Sequence, residues 1–169
     1  MGNTVSVIGS DGNTYEMQNL PDKDKAVELM VQIRQRLEKL KEWYEGTPSL
    51  ASDPPVARFL TNYKPDAFVE NDVKSTDTSY SENKGQRIVV CLRDKTKPGY
   101  PLIDINTIMF VMLHEMGHLM TETIGHTPEF WSNFKRILDD ATKLGLYTSV
   151  NYARQPTPYC GMMITDTPH

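Results

Sequence analysis

The stretch Leu113-His114-Glu115-Met116-Gly117-His118-Leu119, followed by Ile124-Gly125-His126-Thr127-Pro128-Glu129-Phe130-Trp131, constrains the chain more than any other. It gathers three of the four histidines, and His114 and His118 fit the pattern H-E-x-x-H. On a helix, residues four apart leave the same face, so both imidazoles can hold one metal ion. Glu115 is placed to reach a water on that metal. Zinc binds neutral imidazole nitrogen at about 2.0–2.1 Å and, in catalytic sites, keeps three protein ligands and one open position. His126 is the expected third ligand, because Gly125 can end the helix in a left-handed conformation and turn the chain back towards the metal. A zinc ion there lowers the pKa of its water towards ~7 and polarises a carbonyl, while Glu115 takes the proton and delivers it to the leaving amine. The chemistry expected is zinc-dependent hydrolysis of a peptide bond in a protein or peptide substrate.

The bland alternative is a surface helix with ordinary charged residues. The flanks argue against it. Ile105, Ile108, Met109, Val111, Met112, Leu113, Met116, Leu119 and Met120 make the helix apolar nearly all round. Polar groups on such a helix are buried, and burial without a partner or a ligand is costly.

The rest of the chain reads as a single α+β domain. With 169 residues, 38% of them hydrophobic and 24% charged, it can bury a real core. Val5 to Ile8, the turn Ser10-Asp11-Gly12 and Asn13 to Met17 read as a hairpin within residues 1–20. A helix is expected over 21–46, with Ala26, Met30, Ile33, Leu37, Leu40 and Tyr44 as its buried stripe and Gly46 at its end. Pro48 to Pro55 reads as a loop, Val56 to Asn62 as a short helix capped by Asp53, and Ala67-Phe68-Val69 as a brief strand. Residues 71–86 are rich in Ser, Thr, Asp and Asn and read as an exposed loop or loose hairpin, a candidate rim for a substrate cleft.

Residues 87–93 are the best strand, with Cys91 as a small buried apolar residue rather than a reactive thiol. Asp104 or Asn106 should cap the helix over 104–124. Thr127 and Pro128 should open the helix over 128–144, with Phe130, Trp131, Phe134, Ile137, Leu138, Ala141 and Leu144 buried and Gly145 after its end. Glu129, in its first turn, either orients His126 or complements the helix dipole. The tail, 147–169, reads as an extended segment tied to the body. One of its tyrosines is a candidate oxyanion stabiliser and its methionines a candidate floor for the zinc site, although packing is the simpler role.

A net charge of −4 argues against a general attraction to nucleic acid, although a local basic patch would escape that argument. Cys91 and Cys160 show no zinc-ligand or disulfide-framework spacing, and no signal peptide or spanning run is legible. The expected location is therefore intracellular: cytoplasm, nucleus or, for a viral protein, the virion. Met1-Gly2-Asn3-Thr4-Val5-Ser6 fits the N-myristoylation pattern, with Gly2 as the acceptor and weak membrane association as the consequence. The same residues also read as the start of a plain first strand.

From Arg87 to Leu138 the sequence resembles the WLM group of zincin metallopeptidases, relatives of the SprT and Spartan proteases. The resemblance rests on the strand I-V-V-C-L-R, the apolar helix with L-H-E-M-G-H, and G-H-T-P-E-F-W opening a second helix. The hairpin, first helix and Tyr159–Ile164 tail look most like small single-domain members from large DNA viruses. The resemblance implies a zincin-like fold, His114, His118 and His126 on Zn2+, and Glu115 as general base. It also implies that the strand Val89, Val90 and Cys91 is the edge along which an extended substrate pairs.

WLM members commonly place the third histidine six residues after the second. Here the interval is eight, which makes the joining loop this chain's own and Glu122 a rival ligand. Spartan-type relatives cleave DNA–protein crosslinks, a substrate class that this acidic chain does not inherit directly. Pro158-Tyr159-Cys160-Gly161 resembles segments in which a cysteine blocks zinc in latent metalloproteases. The alternative to a peptidase is a non-catalytic zincin used as a structural or interaction module, in a virion or at a membrane. Glu115 favours the enzyme, since a structural zinc site gains nothing from a base.

Overall fold

The computed structural model describes residues 3–83 and 85–168. Gly2, the candidate lipid acceptor, lies outside them. β1 (Thr4–Ile8) and β2 (Thr14–Gln18) form the expected antiparallel hairpin, with Thr4 opposite Gln18 and Ile8 opposite Thr14. Strand alternation turns Tyr15 and Met17 into the core. α1 (Lys23–Glu45) buries the whole expected stripe, Ala26, Met30, Ile33, Leu37, Leu40 and Tyr44, and adds Val27 and Val31. The segment read as a loop contains one helical turn, α2 (Pro48–Ala51), begun by a proline whose missing N–H costs nothing there. α3 (Pro54–Asn62) follows and buries Val56 and Phe59.

β3 (Ala67–Glu70), β4 (Tyr80–Glu82) and β5 (Arg87–Val90) complete a five-stranded sheet in the order β1-β2-β3-β5-β4. This order corrects one expectation. β5 is not an edge: Phe68 of β3 lies opposite Ile88 in parallel register, and Tyr80 of β4 opposite Val89 in antiparallel register. The edge on this side is β4, which forms an antiparallel hairpin with β5 inside the segment read as an exposed loop or loose hairpin. The physical reason was present in the β5 composition, since a continuous run of β-branched residues suits a strand covered on both faces, and Ile88, Val89 and Val90 are all buried. Beyond β5, the buried Arg93 donates through Nε to Glu70 at 2.6 Å and through Nη1 to Asp22 at 3.0 Å, while Glu70 also accepts from the Gln18 amide at 2.9 Å. That network joins β2, β3 and the chain after β5 to the start of α1.

α4 (Ile105–Leu119) and α5 (Pro128–Lys143) pack side by side. Gly117 permits the contact. A Cβ there would lie 3.3 Å from Phe130 and 3.4 Å from the Phe134 backbone, so any larger residue would push α5 away. α4 stops at Leu119, five residues short of the expected end, whereas α5 matches its expected span to within a residue.

The tail is more ordered than its sequence suggested. β6 (Thr157–Tyr159) and β7 (Met162–Ile164) form a separate hairpin with Tyr159 opposite Met162. Its two-residue turn places Cys160 at φ 55° and Gly161 at φ 82°, the double left-handed geometry of tight hairpin turns. Cys160 is disulfide-bonded to Cys91, with 6.1 Å between their Cα atoms, although 69 residues separate them. The expectation of two separate cysteines is thereby corrected. Spacing along a chain is uninformative when the partners are a strand end and a distant turn.

A ring of hydrogen bonds lies beside the disulfide. The Cys91 amide donates to Ser79 Oγ at 2.8 Å, and the Tyr159 hydroxyl donates to the Cys91 carbonyl at 2.8 Å. The Ser79 hydroxyl therefore donates to Tyr159 Oη, at 2.5 Å. By the chain-entropy argument, a bond closing a loop of this length contributes roughly 4 kcal/mol. Cys160→Ser should lower the unfolding free energy by about that amount in urea titrations. Coincident transitions for variant and wild type would show that the bond does not form.

Candidate active site

α4 begins where expected. The Asp104 carboxylate accepts the Thr107 amide at 3.2 Å, closing the first turn. One helical turn apart, His114 and His118 come 5.0 Å from ring centre to ring centre. The early end of the helix has identifiable causes. Asn62 donates to the Leu119 carbonyl at 3.0 Å and Arg58 to the Met120 carbonyl at 2.7 Å, so side chains from α3 satisfy the last turn. The chain is then free to leave the helix axis, and 121–127 loops back.

Glu129 organises that loop. Its carboxylate accepts from the amides of Glu122 and Thr123, at 3.0 and 3.1 Å, and from the Thr123 hydroxyl at 2.9 Å. These bonds hold its pKa below the usual carboxylate range. Glu129 stands in the first turn of α5, where a carboxylate complements the helix dipole, and its hydrogen bonds go to the loop rather than to the His126 ring. Gly125, at φ 89°, supplies the left-handed step just before His126. Thr127 then caps α5 by accepting the Phe130 amide at 3.2 Å. Glu122, the rival ligand, turns out to solvent and pairs with Arg58 at 3.3 Å.

The outcome is a cluster of three imidazoles. Among the described residues, His114, His118 and His126 offer ligand nitrogens that all lie within 4.8 Å of one another. His114 Nε2 and His126 Nε2 are 3.1 Å apart. Two nitrogens on one tetrahedral zinc stand roughly 3.3 Å apart, so this donor set fits that ion. Phe130 stacks on His118 with ring centres 4.2 Å apart, and burial keeps the His118 pKa below its ordinary value. A neutral imidazole is the form that ligates. Glu115 Oε1 lies 3.3 Å from His114 Nδ1. With the proton on Nδ1, the Nε2 lone pair of His114 faces His126.

Beside His114 and Glu115 opens a cavity of about 260 Å³. Phe110 and Val111, one turn before His114 and Glu115, line it together with Phe134, Trp131 and the tail residues Met162 and Met163. Sequence reasoning missed this cavity, although its signal was there: Phe110/His114 and Val111/Glu115 are i,i+4 pairs that share helix faces. The methionines border the cleft beside the candidate base.

Other expectations are corrected. Val89, Val90 and Cys91 are buried, and their backbones are engaged: Val89 opposite Tyr80, the Val90 carbonyl accepting from the Asn71 amide at 2.9 Å, and the Cys91 amide on Ser79. No substrate strand reaches them; the edges of the sheet are β1 and β4, and β4 is the one next to β5. Cys160, bonded to Cys91, does not cover the histidines. The Tyr159 hydroxyl is hydrogen-bonded to Ser79 and Cys91, and Tyr152 packs on Phe110 at 4.5 Å, contacts that agree with the simpler packing role. No helix among the described residues is long and apolar enough to cross a membrane.

A small sheet, a histidine-bearing helix beneath it and a returning loop that brings a third histidine make this a zincin-like α+β domain. The WLM domain model matches residues 80–155. The uncharacterized protein R325 of Acanthamoeba polyphaga mimivirus is 30% identical over 166 residues, covering 96% of this chain and 83% of that protein. The uncharacterized protein 136R of Invertebrate iridescent virus 6 is 42% identical over 69 residues, 41% of this chain and 38% of that protein. In three dimensions the chain is similar to Wss1 from Saccharomyces cerevisiae, with a TM-score of 0.58 at 18% identity over 76% of this chain and 87% of that one. The chain belongs to the WLM family, and its sequence relatives include proteins of large DNA viruses.

If Glu129 positions His126 by holding the loop, Glu129→Ala should weaken zinc binding about 10- to 100-fold. Competition with a chromogenic chelator measures this. Unchanged affinity would mean that the loop holds its shape without that carboxylate.

Proposed function

We propose that the chain is a zinc-dependent endopeptidase. The observation that carries this reading is the position of Glu115, a carboxylate one residue from the three-imidazole cluster and on the wall of an open cavity. His114, His118 and His126 would hold the zinc ion. When bound, zinc supplies a Lewis acid for the substrate carbonyl and an acidified water. Glu115 takes the proton of the attacking water and returns it to the amine that leaves. An extended substrate adds a strand beside β4, the sheet edge next to β5. The role first expected of β5 passes to its neighbour.

A non-catalytic zincin-fold module would keep the histidines and have no use for Glu115. A DNA–protein crosslink repair protease would use this same site on a different substrate. DNA stimulation separates that reading from a general peptidase.

Glu115→Gln should retain one zinc per chain and lose at least about 100-fold in cleavage of an unstructured protein. His126→Ala should lose most of the bound metal. Zinc content by atomic absorption, with cleavage followed by mass spectrometry with and without single-stranded DNA, checks both variants. Equal cleavage by wild type and Glu115→Gln would remove Glu115 from the chemistry.

A further inference from the structure

The cavity beside Glu115 carries information about what the site accepts. Its volume, about 260 Å³, falls below the roughly 300–1,000 Å³ of sites built for drug-sized molecules and suits a single side chain. Two of its walls are rigid. Phe110 and Val111 come from α4 and Phe134 from α5, the helix pair locked together at Gly117. The remaining wall is the β6–β7 hairpin, which hydrogen-bonds to no strand of the main sheet and is held instead by Cys91–Cys160 and the Tyr159–Ser79 contact.

That hairpin presents Met162 and Met163, each 49% exposed, to the space beside Glu115. With Phe110, Val111, Trp131 and Phe134 they make the lining of the cleft predominantly apolar, which suits an apolar occupant. Methionine, unbranched and polarisable, adapts to varied shapes. The acidic groups on the lining are Glu115 and the exposed Asp166, beside the candidate ligand His114.

We infer that the site selects polypeptides carrying one large apolar side chain, Leu, Met or Phe, adjacent to the bond that is cut, and that the disulfide-tied hairpin is the specificity-determining wall. This rests on the peptidase reading for its place in the reaction. The contact itself is a matter of binding.

Two measurements keep them apart. The first is binding of unstructured peptides that differ at one position (Leu, Met, Phe, Ala, Asp or Lys) to zinc-loaded Glu115→Gln. Trp131 fluorescence in a Trp43→Phe background is the signal, since Trp131 lines the cavity. The second is the residue preference of wild-type cleavage sites in an unfolded protein, mapped by mass spectrometry. Leu, Met and Phe peptides should bind and be cut about 10- to 100-fold better than Ala or Asp peptides. Val111→Phe, which fills the cavity from α4, should erase that preference at unchanged zinc content. Because Val111→Phe perturbs a packed helix, Met163→Asp on the exposed hairpin provides a second test and should move preference from apolar residues towards Lys.

Cleavage and binding without side-chain preference would overturn the inference and leave the peptidase reading intact. Preferential binding of apolar peptides without cleavage would do the reverse. A preference for Lys in the wild type, or one unmoved by both variants, would also overturn it.

Discussion

The site depends on the close packing of α4 against α5 at Gly117. One missing Cβ lets Phe130 and Phe134 press onto the helix that bears His114 and His118. Phe130 then stacks on His118 and meets His114 edge-on at 5.0 Å, so both rings are packed against α5. Because His126 lies only two residues before α5, the same packing brings it within reach of the other two. A methyl group at position 117 would disturb the ring stacking and the return of the loop together.

Around that contact the polar groups do a different job from the one their positions suggest. Glu129 follows the third histidine closely but grips the amides of 122 and 123. Arg58, on another helix, caps the end of α4 and pairs with Glu122, drawing away the carboxylate that rivals His126. The interval of eight residues between the second and third histidines is thus accommodated by a loop with its own supports. The donor set needs no distortion of the helix to meet.

The tail adds a wall to the cleft without joining the main sheet. β6 and β7 stand apart from the five-stranded sheet, and a short isolated hairpin is marginal by itself. Two attachments hold it, the disulfide and the Tyr159 hydroxyl, while Tyr147 and Tyr152 pack the preceding segment onto Phe110. Through them the chain after α5 becomes a wall of the cleft rather than a loose end. This wall and α4 border the cavity that holds His114 and Glu115.

Much of this was legible in the residues themselves. The hairpin, α1 with its stripe, α5 with its Thr127 cap, and the histidine face of α4 are all local: they follow from periodicities of 2 and 3.6 and from capping chemistry, which act over a few residues. The α+β class followed from the order of those elements. What the sequence left open was long-range. Whether β5 had one neighbour or two depended on a three-residue strand hidden in a polar segment, too short to show alternation. The Cys91–Cys160 bond joins points 69 residues apart, and nothing local marks either partner. The sequence by itself determined the donor types and the helix face that carries them, because both are properties of neighbouring residues. Only the tertiary structure decided where α4 ends, which strand is the edge and what lines the cleft, because each of these turns on contacts between elements that the chain brings together only on folding.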